Sequence, residues 1–240
     1  MPLRTRRTCL PIVGPLLLAA TLVLQTGCRP VREGAPGATA APPVTTAAPA
    51  GYRRYRVVAA ESEVRVLVYR DGPMARLGHN HVLRSQALEG DIDLGDKGQD
   101  PRISLVVPVA RFTVDQADLR QEEGEDFPGV VEDTAIAGTR KNLLSEALLD
   151  GARFPEIRLT SRKIAGTAPD YTMTVAVEVK GETHDLIVPV RVEQGANELR
   201  ATGAFTTTHA ALGLSPFTVM GGLLSVRDEI KLRFKIVARP

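Results

Sequence analysis

Tryptophan is absent from this 240-residue chain, and the other aromatics amount to four Tyr and six Phe. Any large core must therefore be filled mainly by aliphatic side chains. Cysteine is nearly missing as well, with only Cys9 and Cys28. Export that removes Cys9 leaves no internal disulfide and no cysteine-rich zinc site, so stability has to come from packing. No charge of one sign dominates: 30 Lys and Arg stand against 28 Asp and Glu, a formal +2. Loss of residues 1–27 takes three arginines and no acids with it, which turns +2 into −1. Neither value provides the concentrated basic face that nucleic-acid binding needs. The sequence also lacks a nucleophile elbow, a phosphate-binding glycine loop and a paired-carboxylate site, so nothing in it reads as an enzyme.

A long hydrophobic run is the next absence. The best one, Leu10 to Leu24, is broken by Pro11 and Pro15 and follows Arg4, Arg6 and Arg7. It is too short and interrupted for a membrane-spanning helix but suits a secretory signal. It ends in Leu24-Gln25-Thr26-Gly27-Cys28, which resembles a bacterial lipobox with Gln25 in place of the usual aliphatic residue. Residues 1–27 are expected to be a lipoprotein-type signal, with Cys28 lipidated. From there to residue 51 the chain is rich in Ala, Pro, Thr and Gly and cannot bury enough surface to offset its ordering entropy. A flexible tether over 28–51 and a folded domain over 52–240 follow, exported and anchored to a membrane in the periplasm or at the cell surface.

The folded part is organised around Tyr171 to Val192. Tyr171, Met173, Val175, Val177 and Val179 alternate with polar residues or alanine, the two-residue period of a half-buried strand. Gly181-Glu182 fits a type II′ hairpin loop, since glycine supplies the positive φ of its first central position. That loop pairs Lys180 with Thr183, Val177 with Leu186, Val175 with Val188, Met173 with Val190 and Tyr171 with Val192, and puts His184 opposite Val179 on the apolar face. Similar alternation marks strands near Tyr55 to Ala59, Ser62 to Tyr69, Leu88 to Leu94, Ile103 to Phe112, Glu156 to Ile164, Leu199 to His209 and Leu224 to Ile236. Ile103 to Phe112 is apolar on both phases, so a cover is expected on its outer face. The segment that follows supplies a short acidic helix or turn over Asp115 to Glu125 and a helix over Asp133 to Asp150. Eight or nine antiparallel strands with one helical insertion argue for a closed barrel or a sandwich, and the barrel is preferred.

Three pieces of the chain resemble a known family. Ala152-Arg153-Phe154-Pro155-Glu156-Ile157 enters a strand ending in Ser161, the Gly181 hairpin follows, and Ala211-Leu212-Gly213-Leu214 precedes Ser225-Val226-Arg227-Asp228-Glu229-Ile230-Lys231-Leu232. Their order and spacing resemble the YceI-like family of exported lipid-binding proteins across Tyr52 to Ala238. The resemblance implies an all-β, lipocalin-like antiparallel barrel that holds a polyisoprenoid chain inside, and no catalytic residues. The segment Gly78-His79-Asn80-His81 and the scarcity of aromatics depart from the family pattern.

The alternation itself selects the inward residues Val175, Val177, Leu186, Val188, Phe205, Ile230, Leu232 and Phe234, joined by His184 near the hairpin, as the candidate ligand-binding set. Eight strands give an interior just wide enough to be filled or to hold one slender ligand, and few bulky aromatics favour the tube. No cofactor is expected beyond the lipid. The alternative is a metal held by His79 and His81, which share a face if extended, together with His209 and an inward carboxylate such as Asp228.

Overall fold

Alternating apolar residues are half-buried strands in the folded chain, and the apolar phase faces a common interior. The computed structural model describes residues 48–95 and 101–240. Cys28, the expected signal 1–27 and residues 28–47 of the expected tether lie outside the described residues. The strands are β1 (Tyr52–Val57), β2 (Glu63–Asp71), β3 (His81–Ser85), β4 (Glu89–Gly95), β5 (Arg102–Pro108), β6 (Thr113–Val114), β7 (Glu156–Thr167), β8 (Asp170–Val179), β9 (Glu182–Gln194), β10 (Leu199–Thr208), β11 (Thr218–Val219) and β12 (Leu224–Arg239). Two helices, α1 (Ala117–Glu123) and α2 (Asp133–Leu144), separate β6 from β7.

Three pairs of these strands each act as one bent strand. β1 and β2 are separated by a single 3-10 turn, β5 and β6 by another, and β3 runs on into β4. Accordingly β4 lies between β1 and β5, while β3 lies between β2 and β6. Eight long strands therefore run up and down, each antiparallel to its neighbours. The sixteen-residue β12 closes the ring, pairing with β2 from Ser225 to Lys235 and then with β1 through Arg56↔Arg239 and Val57↔Ala238. Closure leaves the bend between β1 and β2 opposite Val237. Ser62, fully buried there, fills the gap in the ladder: its Oγ accepts the Val237 N–H at 3.0 Å and donates to the Val58 carbonyl at 2.9 Å.

The hairpin register differs from the sequence expectation by two residues. Val177 pairs with His184, Val175 with Leu186, Met173 with Val188 and Tyr171 with Val190, and the turn comprises Lys180 and Gly181, not Gly181 and Glu182. Both turn residues have positive φ, 51° and 78°, as a type I′ turn requires. A shift of two preserves the faces, so Leu186, Val188 and Val190 stay inward. The β9–β10 ladder runs from Leu199↔Gln194 to Thr202↔Arg191 and stops short of Pro189, which has no N–H to donate.

The helices also cover something other than expected. Leu119 of α1 and nearby Phe127 pack on Leu67 and Val82, the outward side of β2 and β3, instead of on β5. The outer phase of β5 leaves Ser104 exposed and Val106 half-buried. Leu143 of α2, followed by Leu148 and Leu149, faces the interior. The cover expected for β5 thus serves as the wall of one end and the coat of two other strands.

Candidate functional site

The barrel interior holds a cavity of about 310 Å³. Its walls take one phase from nearly every strand: Val64, Val66 and Val68 of β2, Ile103, Leu105 and Val107 of β5, Ile157 and Leu159 of β7, Met173 of β8, Val190 of β9. The structure brings Val175, Val177, Leu186, Val188, Phe205, Ile230, Leu232 and Phe234 together on this one surface. His184 does not reach it. That side chain is half-buried beside Gly213, with Nε2 3.7 Å from the Glu182 carboxylate and no hydrogen-bond partner. An apolar space of this size stays dry unless polar groups hold water, so hydrocarbon is its fitting occupant.

Besides Arg233 of β12, four polar residues border the cavity. His81 opens β3, His209 follows β10, and Thr139 and Asn142 belong to α2. The registers Val68↔His81, Ile230↔Val68 and Thr207↔Ile230 put the first two at the same level of the barrel.

The histidines do not form the expected trio. His209 is buried and bonded through Nδ1 to the Asp228 carbonyl at 2.9 Å. Asp228 sits in a bulge, where four steps of β12 from Val226 to Ile230 span two steps of β2; it is exposed, and its carboxylate accepts the Ala210 N–H. The carboxylate that joins His79 and His81 is Asp115. It stands between β6 and α1 with φ 51°, a left-handed conformation that Asp tolerates better than most residues. Its Oδ1 accepts the Val82 N–H and an Arg120 guanidinium N–H, both at 2.9 Å, and its Oδ2 lies 2.6 Å from His81 Nδ1 and 4.0 Å from His79 Nε2.

Arg120 explains why this charge can be buried. Its side chain is 1% exposed, yet it also donates to the carbonyls of Asn80 at 2.6 Å, Pro128 at 3.1 Å and Gly129 at 3.2 Å. A buried ion pair is tolerable when its remaining donors are satisfied in this way. Burial alone would raise the Asp115 pKa, but the bond and charge of His81, the Val82 N–H and Arg120 hold it below the usual carboxylate range. Desolvation, and then the neighbouring His81, push His79 below the ordinary imidazole range. The two rings meet edge to face with centroids 4.6 Å apart, and His79 Nε2 is buried without a hydrogen-bond partner. Asn80 fixes the segment between them: its Oδ1 accepts the Arg70 N–H and its Nδ2 donates to the Asp126 carbonyl.

Residues 55–238 match the family model for the YceI-like domain. Among solved structures, BcnA of Burkholderia cenocepacia is similar with a TM-score of 0.52 and 16% identity, covering 75% of this chain and 98% of that one. A YCEI protein of Campylobacter jejuni aligns with a TM-score of 0.46 and 12% identity, over 64% and 81% of the respective chains. At 16% identity the likeness to BcnA bears on the fold alone. A comparison with curated protein sequences returns no match.

Proposed function

The chain belongs to the YceI-like domain family, and from that premise we propose that it binds one long apolar lipid of the polyisoprenoid type and performs no chemistry on it. The family's barrel is generally a binding fold for hydrophobic ligands. The observation that carries the finer reading is the cavity of about 310 Å³, walled by aliphatic side chains from non-adjacent strands. Each buried CH₂-sized unit of a chain contributes about 0.8 kcal/mol, offset in part by the cost of ordering a flexible tail. His81 and His209, at one level of the barrel, suit a molecule with a polar head. Titration with a polyprenol should displace an environment-sensitive apolar dye at one equivalent per chain. Failure of the dye to bind, or displacement by short polar alcohols as readily as by the polyprenol, would contradict the reading.

The same proposal includes location: an exported protein held on a membrane by lipid at Cys28. Its support is the sequence of basic residues, the apolar run to Leu24 and the Thr26-Gly27-Cys28 ending. The Cys28→Ala protein should move to the soluble fraction after export. Continued partition with membranes would rule out the anchor.

A further inference from the structure

We propose that His79, His81 and Asp115 form a binding site for one divalent transition-metal ion. The donor set is two imidazole nitrogens and one carboxylate oxygen, the chemistry used for zinc and for iron(II) at sites that keep a coordination position free. One ligand atom from each residue lies within 4.8 Å of the other two, and no other trio of His, Cys, Asp or Glu among the described residues comes together this way.

The bland reading makes the cluster a structural staple that holds α1 against β2 and β3. It accounts for Asp115 Oδ1, Val82 N and Arg120, all of which are satisfied without an ion. It does not account for His79, whose Nε2 is buried and bonded to nothing while facing Asp115 Oδ2 at 4.0 Å. Buried polar atoms without partners are rare, and a ring nitrogen and a carboxylate oxygen facing each other across a gap too long for a hydrogen bond can share an ion between them. The staple in turn serves the site. Arg120 and the Val82 N–H occupy Oδ1 and orient the carboxylate, leaving Oδ2 to the histidines as an outer partner of a metal ligand does.

The distances require only small movements. With metal–ligand bonds of about 2.0–2.1 Å, two ligands of a tetrahedral ion stand about 3.3 Å apart. His81 and Asp115, now at 2.6 Å, must open slightly, and His79 must close from 4.0 Å. When the ion takes Nδ1, the proton that remains on the ring is carried by Nε2. The Arg120 charge opposes a cation and makes this site weaker than one built of three histidines. His81 also lines the cavity, so the ion would lie at the wall of the tube. The site is independent of what fills the tube.

The test is calorimetric titration of the full-length chain, stripped with a chelator, using zinc alone and magnesium alone. Zinc should bind at one equivalent per chain and raise the melting temperature by mass action, while magnesium does neither. His79→Ala leaves the Asp115–Arg120 pair in place and should weaken zinc binding at least about tenfold. His184→Ala, distant from the cluster, should bind zinc as the wild type does. His79→Gln gives the same comparison if the alanine variant is poorly folded. No saturable zinc binding by the wild type, undiminished binding by both His79 variants, or loss of binding in His184→Ala would overturn the proposal.

Discussion

Val177 is a single side chain that distinguishes a tube from a filled core. It is buried, lies beside Leu159 of β7 and His184 of β9, and lines the cavity. A phenyl ring there projects into empty space, so Val177→Phe should abolish binding of a long apolar chain while shifting the melting temperature little. Overpacking of a solid core would instead cost about 1–3 kcal/mol. At the seam, Arg239 holds Glu61 at the β1–β2 bend and Glu198 before β10. The hydrogen bond from Arg239, foremost among the causes, lowers the pKa of both carboxyls. Their contribution is therefore present above the ordinary glutamate pKa of about 4.3 and is lost as pH falls through the lowered values. Arg239→Ala should melt slightly below wild type at neutral pH and low salt, with the difference fading as pH falls through the lowered values of the two glutamates. These groups are exposed and screened, so a difference that persists at high salt and low pH would contradict the clamp. The inward residues of the tube were legible in the sequence because alternation marks them one strand at a time. Asp115 was not. It reads as the start of an acidic turn, and only the crossing of β6 beside β3 brings it to His81.

The β8–β9 hairpin shows where pattern reading stops. Alternation fixes which face each residue takes, and a slip of one residue is excluded because it would turn Leu186, Val188 and Val190 outward. A slip of two costs nothing in that accounting. The turn decides between them, and it puts Lys180 at positive φ, where lysine is disfavoured. Distant contacts settle the choice: Lys180 Nζ donates to the Glu146 carbonyl at 2.9 Å, and Gly181 lies under the Phe154 ring. A Cβ on Gly181 would stand 2.8 Å from Phe154 Cε1 at φ 78°. Gly181→Ala should therefore destabilise the protein by about 1–2 kcal/mol in denaturant unfolding. An unchanged midpoint would mean that this turn is not held as described. The short strand β3 escaped notice for a related reason. Its five residues, His81–Ser85, are two half-buried and three fully buried, with neighbours on both faces, so they give no alternation to read.

At the scale of the whole molecule, scarcity of aromatics and the presence of a tube are one fact. Only ten Phe and Tyr are spread through 240 residues, and the interior is walled chiefly by Val, Leu and Ile. Branched aliphatic side chains from eight strands reach toward the barrel axis but do not fill it, whereas aromatics on the same positions would. That so many amphipathic strands with one short helical insertion form a closed barrel or a sandwich was legible in the sequence, and the barrel was the preferred of the two. The ring order and the plugging of one end by α2 needed the pairing of β12 with β1, which no local pattern encodes. The most direct test is native mass spectrometry of the purified full-length protein. A binding tube predicts a discrete mass increment of one long-chain lipid per polypeptide, beyond any lipid at Cys28, which disappears in Val177→Phe. Wild-type protein that never carries such an increment, even after incubation with a polyprenol, would contradict it.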